Sequence, residues 1–473
     1  MADTPILMTI PQLVDAVHGM CICNFNHENG FSSVATDSRN VLPGSLFVPL
    51  LGEFQDGHSF IPKALEAGAT IVFVDQAHRD GSGSLYSVLA KRYDAAIILV
   101  ENTLRALQNA AQKYVSFFPE LVKIGITGSS GKTTTKEIVG SVFSEKYSVI
   151  MNEGNLNSET GLPLSVFRIR KEHEVGIFEL GMNRKGEISE IAHVLSPSLA
   201  LITNIGTAHI GILGTQRAIA EEKKCIFENF SDTGVGFIPE NDVWTDFLSG
   251  IPRGSVRFFG PESTEGYTGY TNLGIDGSLI NYNGITIHLS LPGRYNLMNA
   301  LGVISLAGYA GLKPMEIKAG IEKVKPLFGR AEVIKGDATI ILDCYNANPD
   351  SMESALGFCS DLEWEGNKIF VLGSMLELGA ESLKAHERIC RIASKSGVNH
   401  VFLFGDEMVA AGYLVDWNNV LVHSFIDIDK LSLALAQTVR SGDLVFIKGS
   451  RGMALERVCP ALNIREKCGV NHG

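Results

Sequence analysis

The stretch KIGITGSSGKTTTKE, Lys123 to Glu137, joins three strand-forming residues to a helix through a turn of small residues. Glycines at 128 and 131 let backbone amides turn inward, where a side chain would collide with a bound phosphate. Lys132 would reach terminal phosphates and Thr133 would offer its hydroxyl to Mg2+. The start of the following helix adds a favourable field for negative charge. The candidate nucleotide contacts are therefore Thr127, Gly128, Ser129, Ser130, Gly131, Lys132, Thr133 and Thr134. The spacing is GxxGKT. The standard GxxxxGK[ST] pattern needs glycine at 126, and this chain has Ile126. A bare GxxG turn commonly does no more than link a strand to a helix. The Lys-Thr that follows is what points to phosphate.

Outward from this loop, buried-type strands recur at VGIFEL (175–180) and LALITN (199–204), with helical stretches between them. Continuous apolar strands alternating with helices predict a parallel sheet covered on both faces. Upstream, TIPQLVDAVHG carries Thr9 as N-cap and Gly19 as its stop. SLFVPL and TIVFVD are short strands on either side of the helix SFIPKALEAG. Downstream, residues 256–290 break the rhythm with hairpin-like pieces at IDGS and YNGI. After PLFGR (326–330), the strands TIILDCY, KIFVLG, HVFLFG and DLVFIKG alternate with helices, as in a Rossmann-like domain. The expectation is an α/β chain of three domains. Residues 1–101 form a small α/β domain, 102–330 a central P-loop domain with a parallel sheet, and 331–473 a Rossmann-like domain.

The chain has 473 residues, 45% of them hydrophobic and 19% charged, with a net charge of −12. No long Lys/Arg run is present, so nucleic acid and acidic membranes are poor partners. Eight cysteines lie scattered at 21, 23, 225, 344, 359, 390, 459 and 468, and none forms a CxxC pair. Reduced thiols in a cytosol fit this better than disulfides or zinc. The first residues lack a basic region followed by a long apolar stretch, and no run of 18 apolar residues exists, so a cytoplasmic protein without a membrane span is expected.

A nucleotide site also needs a metal partner. Glu179 in VGIFELG and His209 in TNIGTAHIG each follow a predicted parallel strand, the edge where ligands gather in such sheets. Alone, each would read as an ordinary loop residue. Together on one P-loop sheet they are expected beside Mg2+.

The loop TGSSGKTT, the Glu of FELG, TNIGTAHIGILGT, LPGRYNLMNAL, FGR and DCYNANPDSM occur in the order seen in the Mur ligases, and the chain resembles that family over essentially its whole length. The resemblance implies an ATP-dependent enzyme that converts a carboxylate to an acyl phosphate and couples it to an amine. It implies catalytic roles for Lys132, Glu179, His209 and Lys223. Lys223 in AEEKKCIF aligns with a lysine that the family carbamylates into a metal ligand, with Lys224 next door as an alternative. Thr133, Glu179, His209 and Lys223 would then be the magnesium set. Asn296 and Asn299 match positions near adenine, Arg330 matches a phosphate contact, and Asp343, Tyr345 and Asn346 match contacts from the third domain.

For the acceptor, the resemblance implies that Ser38 and Arg39 in TDSRN meet a uridine diphosphate, where a forked guanidinium donor suits the diphosphate. Asn157, Glu159 and Thr160 would meet the muramoyl-peptide side. Lys448 and Arg451 in KGSRGMALE would orient carboxylates of the incoming amine. DSRNVLPGSLFVPL resembles a nucleotide-sugar domain shared by two ligases of the family, and DCYNANPDSM and LGSMLELG resemble the member whose substrates are UDP-N-acetylmuramoyl-tripeptide and D-alanyl-D-alanine. Neither a GGDRD-like stretch nor an acidic-Asn-Pro-Arg signature for a diamino acid is found. The family also implies a monomer. Gly211 stands where many relatives carry an acidic residue, and Ser374 where relatives often have Asp. A relative adding a single amino acid, a folylpolyglutamate-type synthase, and a generic P-loop NTPase or kinase remain the competing readings. An NKxD-type guanine motif is not found near the sheet.

Overall fold

Among the described residues, which are 5–27, 29–79 and 83–462 of a computed structural model, three sheets of five or six strands carry the chain. Cys468 lies outside them. The chain divides into two compact units. One is Met1–Gly125 with Tyr147–Leu199 and Cys225–Gly234; the other is Ile126–Lys146 with Ala200–Lys224 and Val235–Gly473.

In the first unit, a five-stranded sheet takes the order Met20–Asn24, Ala96–Val100, Ala69–Asp75, Ser45–Phe47, Ser33–Ala35. All neighbours are parallel except the first pair. The opening helix, Ile10–Val17, is capped by Thr9, whose side chain accepts from the Gln12 amide while Gln12 reaches back. This reciprocal arrangement satisfies two helix-end donors at once. Its stop is His18, left-handed at φ 50°, one residue earlier than the expected Gly19. The amphipathic helix Thr103–Val115 begins at Asn102, whose side chain accepts from the Arg105 amide, and buries Ala106, Leu107, Ala110, Ala111 and Tyr114.

The sheet that holds the phosphate loop takes the order Ser255–Phe259, Val235–Pro239, Leu199–Ile202, Val122–Thr127, Val175–Glu179, Val149–Met151. The outer pair at each end is parallel.

In the second unit, Tyr267–Asn272, Ser278–Tyr282 and Ile285–Leu289 form an antiparallel meander. Its Asn283-Gly284 turn has positive φ at both residues, as a two-residue hairpin requires. Helices Arg294–Tyr309 and Pro314–Lys323 pack on the loop's helix, Lys132–Phe143. The last sheet has the order Glu332–Lys335, Thr339–Asp343, Leu444–Lys448, Lys368–Gly373, His400–Phe404, Leu421–Phe425. All its neighbours are parallel except the first pair. Its central strands are buried on both faces. Phe370, Leu372, Val401, Leu403 and Phe446 fill one core, while Ile369, Val371, Phe402, Val445 and Ile447 fill the other. Successive side chains point to opposite faces, so burial on both demands the unbroken apolar runs seen in the sequence. The two edge strands, 332–335 and 421–425, were not among the expected ones. They are short and partly exposed, and carry no such run.

Candidate nucleotide and ligation site

Thr127 is the last residue of its strand and Lys132 the first of its helix, so the turn is only Gly128 to Gly131. Ile126 is fully buried in the strand, which explains why the loop starts later than the standard pattern. Gly128 has φ 150°, and a Cβ there would lie 1.8 Å from Thr203 Oγ1. Gly131 has φ 80°, and its Cβ would lie 2.8 Å from Asn299 Oδ1. Both positions therefore require glycine. The loop is held from behind by the Thr203–Gly206 segment. Asn204 Oδ1 accepts from the Ser130 amide at 3.0 Å, and its Nδ2 donates to the Ser130 carbonyl at 3.0 Å. Thr203 Oγ1 donates to the same carbonyl at 2.6 Å, and Ser129 Oγ accepts from the Gly206 amide at 2.8 Å. No side chain caps the helix that follows. Such a helix start directs its first amides toward an anion. Lys132 Nζ donates to the Gly128 carbonyl at 2.9 Å, folded across the mouth of the loop.

Segments distant in sequence meet this loop within the same unit. Asn296 and Asn299, which would read as helix-surface amides, are buried, and Asn296 Nδ2 donates to the Pro292 carbonyl at 2.8 Å. Asn348 Nδ2 donates to Ser130 Oγ at 3.0 Å. Asp350 Oδ2 accepts from both the amide and the hydroxyl of Thr207, at 2.5 and 2.6 Å. His209 Nδ1 lies 3.0 Å from Glu377 Oε2, an ion-pair distance off hydrogen-bond geometry. The imidazole beside it holds the Glu377 carboxyl below the usual carboxylate range.

At the carboxyl end of the last sheet, Lys448 Nζ donates to Asp343 Oδ2 at 2.6 Å in a largely buried ion pair. Lys448 thus has a carboxylate within its own sheet, where the sequence pointed it at an incoming one. The Arg330 guanidinium stacks 4.0 Å over the Tyr345 ring. Asn346 is exposed, and its carbonyl lies 3.3 Å from Lys448 Nζ. Arg451 is half-exposed and donates to Glu456 at 2.6 Å. Burial and the nearby Glu456 push the Cys344 thiol up to about 12, so it is no nucleophile at neutral pH.

Lys223 is 1% exposed, next to the buried Glu222. The ordinary surface lysine that sequence alone would favour is not what stands here. Lys224 is instead engaged elsewhere, donating to the Phe247 carbonyl at 2.6 Å with its ammonium 4.3 Å above the Phe247 ring. Ser374 is fully buried and accepts from the Met408 amide at 3.2 Å, near the start of a helix. At Gly405 a Cβ would stand 2.4 Å from Ser374 Oγ, so the close approach of this hydroxyl requires glycine at 405.

In the first unit, Glu179 ends its strand and is buried. Asn152 exchanges two hydrogen bonds with the Glu179 backbone, at 2.9 and 3.1 Å. Asn157 Nδ2 donates to Glu179 Oε1 at 2.7 Å. Glu159 pairs with Arg184, and Glu187 accepts from the Glu159 amide at 3.0 Å. Thr160 precedes helix Gly161–Val166 without capping it. Asn157, Glu159 and Thr160 therefore form one anchored stretch beside Glu179.

Ser38 is buried, whereas Arg39 is exposed and clamped onto Asp37 by two nitrogens. That clamp holds the Asp37 carboxyl down to about 2. Elsewhere in this unit, His78 stands between two carboxylates, with Nδ1 2.6 Å from Asp75 and Nε2 2.7 Å from Asp56. His58 is stacked under it at 3.8 Å, accepts from the Asp75 amide, and faces Asp56 through its other nitrogen.

Three family models match in chain order. They are Mur ligase family, catalytic domain, over 31–115; Mur ligase middle domain, over 126–307; and Mur ligase, glutamate ligase domain, over 329–451. A Treponema pallidum protein named UDP-N-acetylmuramoyl-tripeptide–D-alanyl-D-alanine ligase is 47% identical over 97% of this chain and 99% of its own. The chain belongs to the Mur ligase family.

A Bacillus subtilis relative of the same name is 33% identical over 96% of this Mur ligase and 98% of its own chain. The crystal structure of MurF from Acinetobacter baumannii superposes with a TM-score of 0.84 at 28% identity, covering 96% and 98% of the two chains. MurF ligase from Thermotoga maritima, solved in complex with ADP, gives 0.77 at 27% identity over 91% and 96%. The sequence of this Mur ligase did not single out Asn204, Asn348, Asp350, Glu377 or Asn152 individually. Only their place just after apolar strands, in MNEGNL, TNIGT, DCYNANPD and LGSMLELG, could have signalled them.

Proposed function

We infer that this Mur ligase joins D-alanyl-D-alanine to UDP-N-acetylmuramoyl-tripeptide at the expense of ATP, a step of peptidoglycan precursor synthesis. The observation that carries this reading is the glycine loop closed from behind by Asn204 and met by Asn348, the cap of helix Pro349–Asp361, because it joins a phosphate cradle to the domain we assign to the amine. We take 1–101 as the domain for the nucleotide-sugar peptide, 102–330 for ATP and 331–473 for the amine.

A carboxylate resists amines because its oxyanion is a poor leaving group. A tripeptide carboxylate oxygen attacks the γ-phosphorus of ATP, the bond to the β–γ bridging oxygen breaks, and ADP leaves an acyl phosphate behind. The free amine of D-alanyl-D-alanine attacks the acyl carbon, phosphate leaves with the bonding pair, and the amine proton passes to solvent. Lys132 exchanges the Gly128 carbonyl for the transferring phosphoryl group, where its charge offsets what develops. The loop amides and helix start hold the remaining phosphate oxygens, and Asn296 and Asn299 face the nucleoside. Arg330, Asp343, Tyr345 and Asn346 complete the nucleotide's surroundings.

Thr133, Glu179, His209 and a carbamylated Lys223 would hold Mg2+. A hydroxyl, a buried carboxylate and a carbamate are the hard oxygen donors this ion prefers. Bound there, the ion supplies Lewis-acid stabilisation of phosphoryl oxygens. Carbamylation also gives a physical reason for a lysine as buried as Lys223. Ser38 and Arg39 take the uridine diphosphate, and Asn157, Glu159 and Thr160 the peptide side. Arg451 and Lys448 orient the dipeptide carboxylate, and Lys448 is held at the sheet edge by Asp343. No helix among the described residues is long and apolar enough to cross a membrane, and we propose a cytoplasmic monomer.

The test is phosphate release from Mg·ATP with the UDP-muramoyl-tripeptide, with and without D-alanyl-D-alanine. Release that needs both, with a new amide in the product mass, is expected. Release with a single amino acid instead moves the protein to a neighbouring ligase. Release indifferent to both makes it a generic NTPase.

A further inference from the structure

His209 and Glu377 are both left-handed, each at φ 64°, an uncommon conformation for residues with side chains. They meet at one contact. Glu377 Oε2 lies 3.0 Å from His209 Nδ1, and the Glu377 carbonyl accepts from the Gly211 amide at 3.2 Å. At Gly211 a Cβ would stand 2.4 Å from that carbonyl oxygen and 2.6 Å from the Gly379 amide nitrogen. The Glu377–Gly379 turn therefore sits on bare backbone, in a seat that any side chain at 211 would close. The 207–211 segment is also held from helix Pro349–Asp361, where Asp350 accepts from Thr207 twice.

An imidazole whose Nδ1 faces a carboxylate has its orientation set and leaves Nε2 as the outward nitrogen. Such outer carboxylates tune histidines that neighbour metals. We infer that Glu377 is a positioning residue for His209, aiming its Nε2 at the magnesium site from the last domain, and that Gly211 exists to admit it. The inference rests on the reading of His209 as a magnesium neighbour. Magnesium affinity then depends on the turn after strand Lys368–Gly373 being seated on the 207–211 segment.

Glu377→Gln tests this, since it keeps the size of the side chain and the backbone carbonyl but loses the charge. The readouts are Mn2+ binding to the chain loaded with a non-hydrolysable ATP analogue, followed by electron paramagnetic resonance, and the Mg2+ concentration giving half-maximal phosphate release. Both should weaken roughly ten- to a hundredfold, with the KM for D-alanyl-D-alanine and the thermal midpoint unchanged. Gly211→Ala, which leaves both side chains in place, should reproduce the metal defect by displacing the turn. His209→Ala is the reference. If His209→Ala weakens Mn2+ binding and Glu377→Gln binds as the parent does, Glu377 is not the positioning residue. If His209→Ala binds Mn2+ normally, the reading of His209 falls and this inference with it.

Discussion

Lys223 is the residue whose environment departs most from its sequence context. Three of its neighbours in AEEKK are charged, yet it is 1% exposed. An ammonium so buried is costly unless paired or chemically altered. The expected outcome is a carbamate signal in 13C NMR after incubation with labelled bicarbonate. It should vanish in Lys223→Ala and persist in Lys224→Ala. Loss of turnover in Lys223→Ala should reach roughly a hundredfold, about 2.7 kcal/mol of barrier at 1.36 kcal/mol per tenfold. A signal that survives Lys223→Ala would move the modification elsewhere. Lys448 makes the opposite point at this scale. A lysine in a Gly-rich loop reads as a ligand contact, but the strand pairing puts it directly beside Asp343, and the two are neutralised together.

The phosphate loop works as one element because a second loop fixes it. Gly128→Ala would drive a methyl group into Thr203 Oγ1, 1.8 Å away, and break the hydroxyl's bond to the Ser130 carbonyl. Overpacking of this kind costs about 1–3 kcal/mol. Calorimetric titration should show ATP affinity falling at least roughly tenfold (about 1.4 kcal/mol), with a lowered thermal midpoint. Unchanged affinity would mean the loop does not carry the nucleotide.

The Asp56–His58–Asp75–His78 network is the other tight element. His78 is hydrogen-bonded to Asp75 and also to Asp56, which raises its pKa from the ordinary 6.5. A raised folded-state pKa contributes stability that is full below about 6.5 and is lost as pH rises through the higher folded value. NMR titration should place the His78 midpoint above 6.5, and Asp56→Asn should lower it. A midpoint that Asp56→Asn leaves unmoved would show that the carboxylate does not sense the imidazole.

Across the second unit, helix Pro349–Asp361 and its cap reach the phosphate loop through Asn348 to Ser130 and the segment behind it through Asp350 to Thr207. Carboxylate acceptors make the stronger hydrogen bonds, about 1.5–3 kcal/mol each. Asp350→Ala should therefore raise the KM for ATP roughly tenfold and increase amide hydrogen exchange across residues 203–214. An unchanged KM and unchanged exchange would show that this tie is incidental to nucleotide binding.

Sequence alone determined the class of fold, the loop and the family. Each rests on local rules, namely glycines where backbone must approach phosphate, unbroken apolar runs where both faces are covered, and motifs in a fixed order. The exposed edge strands 332–335 and 421–425 escaped those rules because they lack an apolar run. Tertiary structure decided what depends on distant partners. It buried Lys223, Asn296 and Asn299, gave Lys448 to Asp343, and set Glu377 against His209. Burial and pairing are properties of what folds over a residue, and partners such as Asp343 for Lys448 or Glu377 for His209 come from more than a hundred positions away, beyond the reach of any periodicity or spacing.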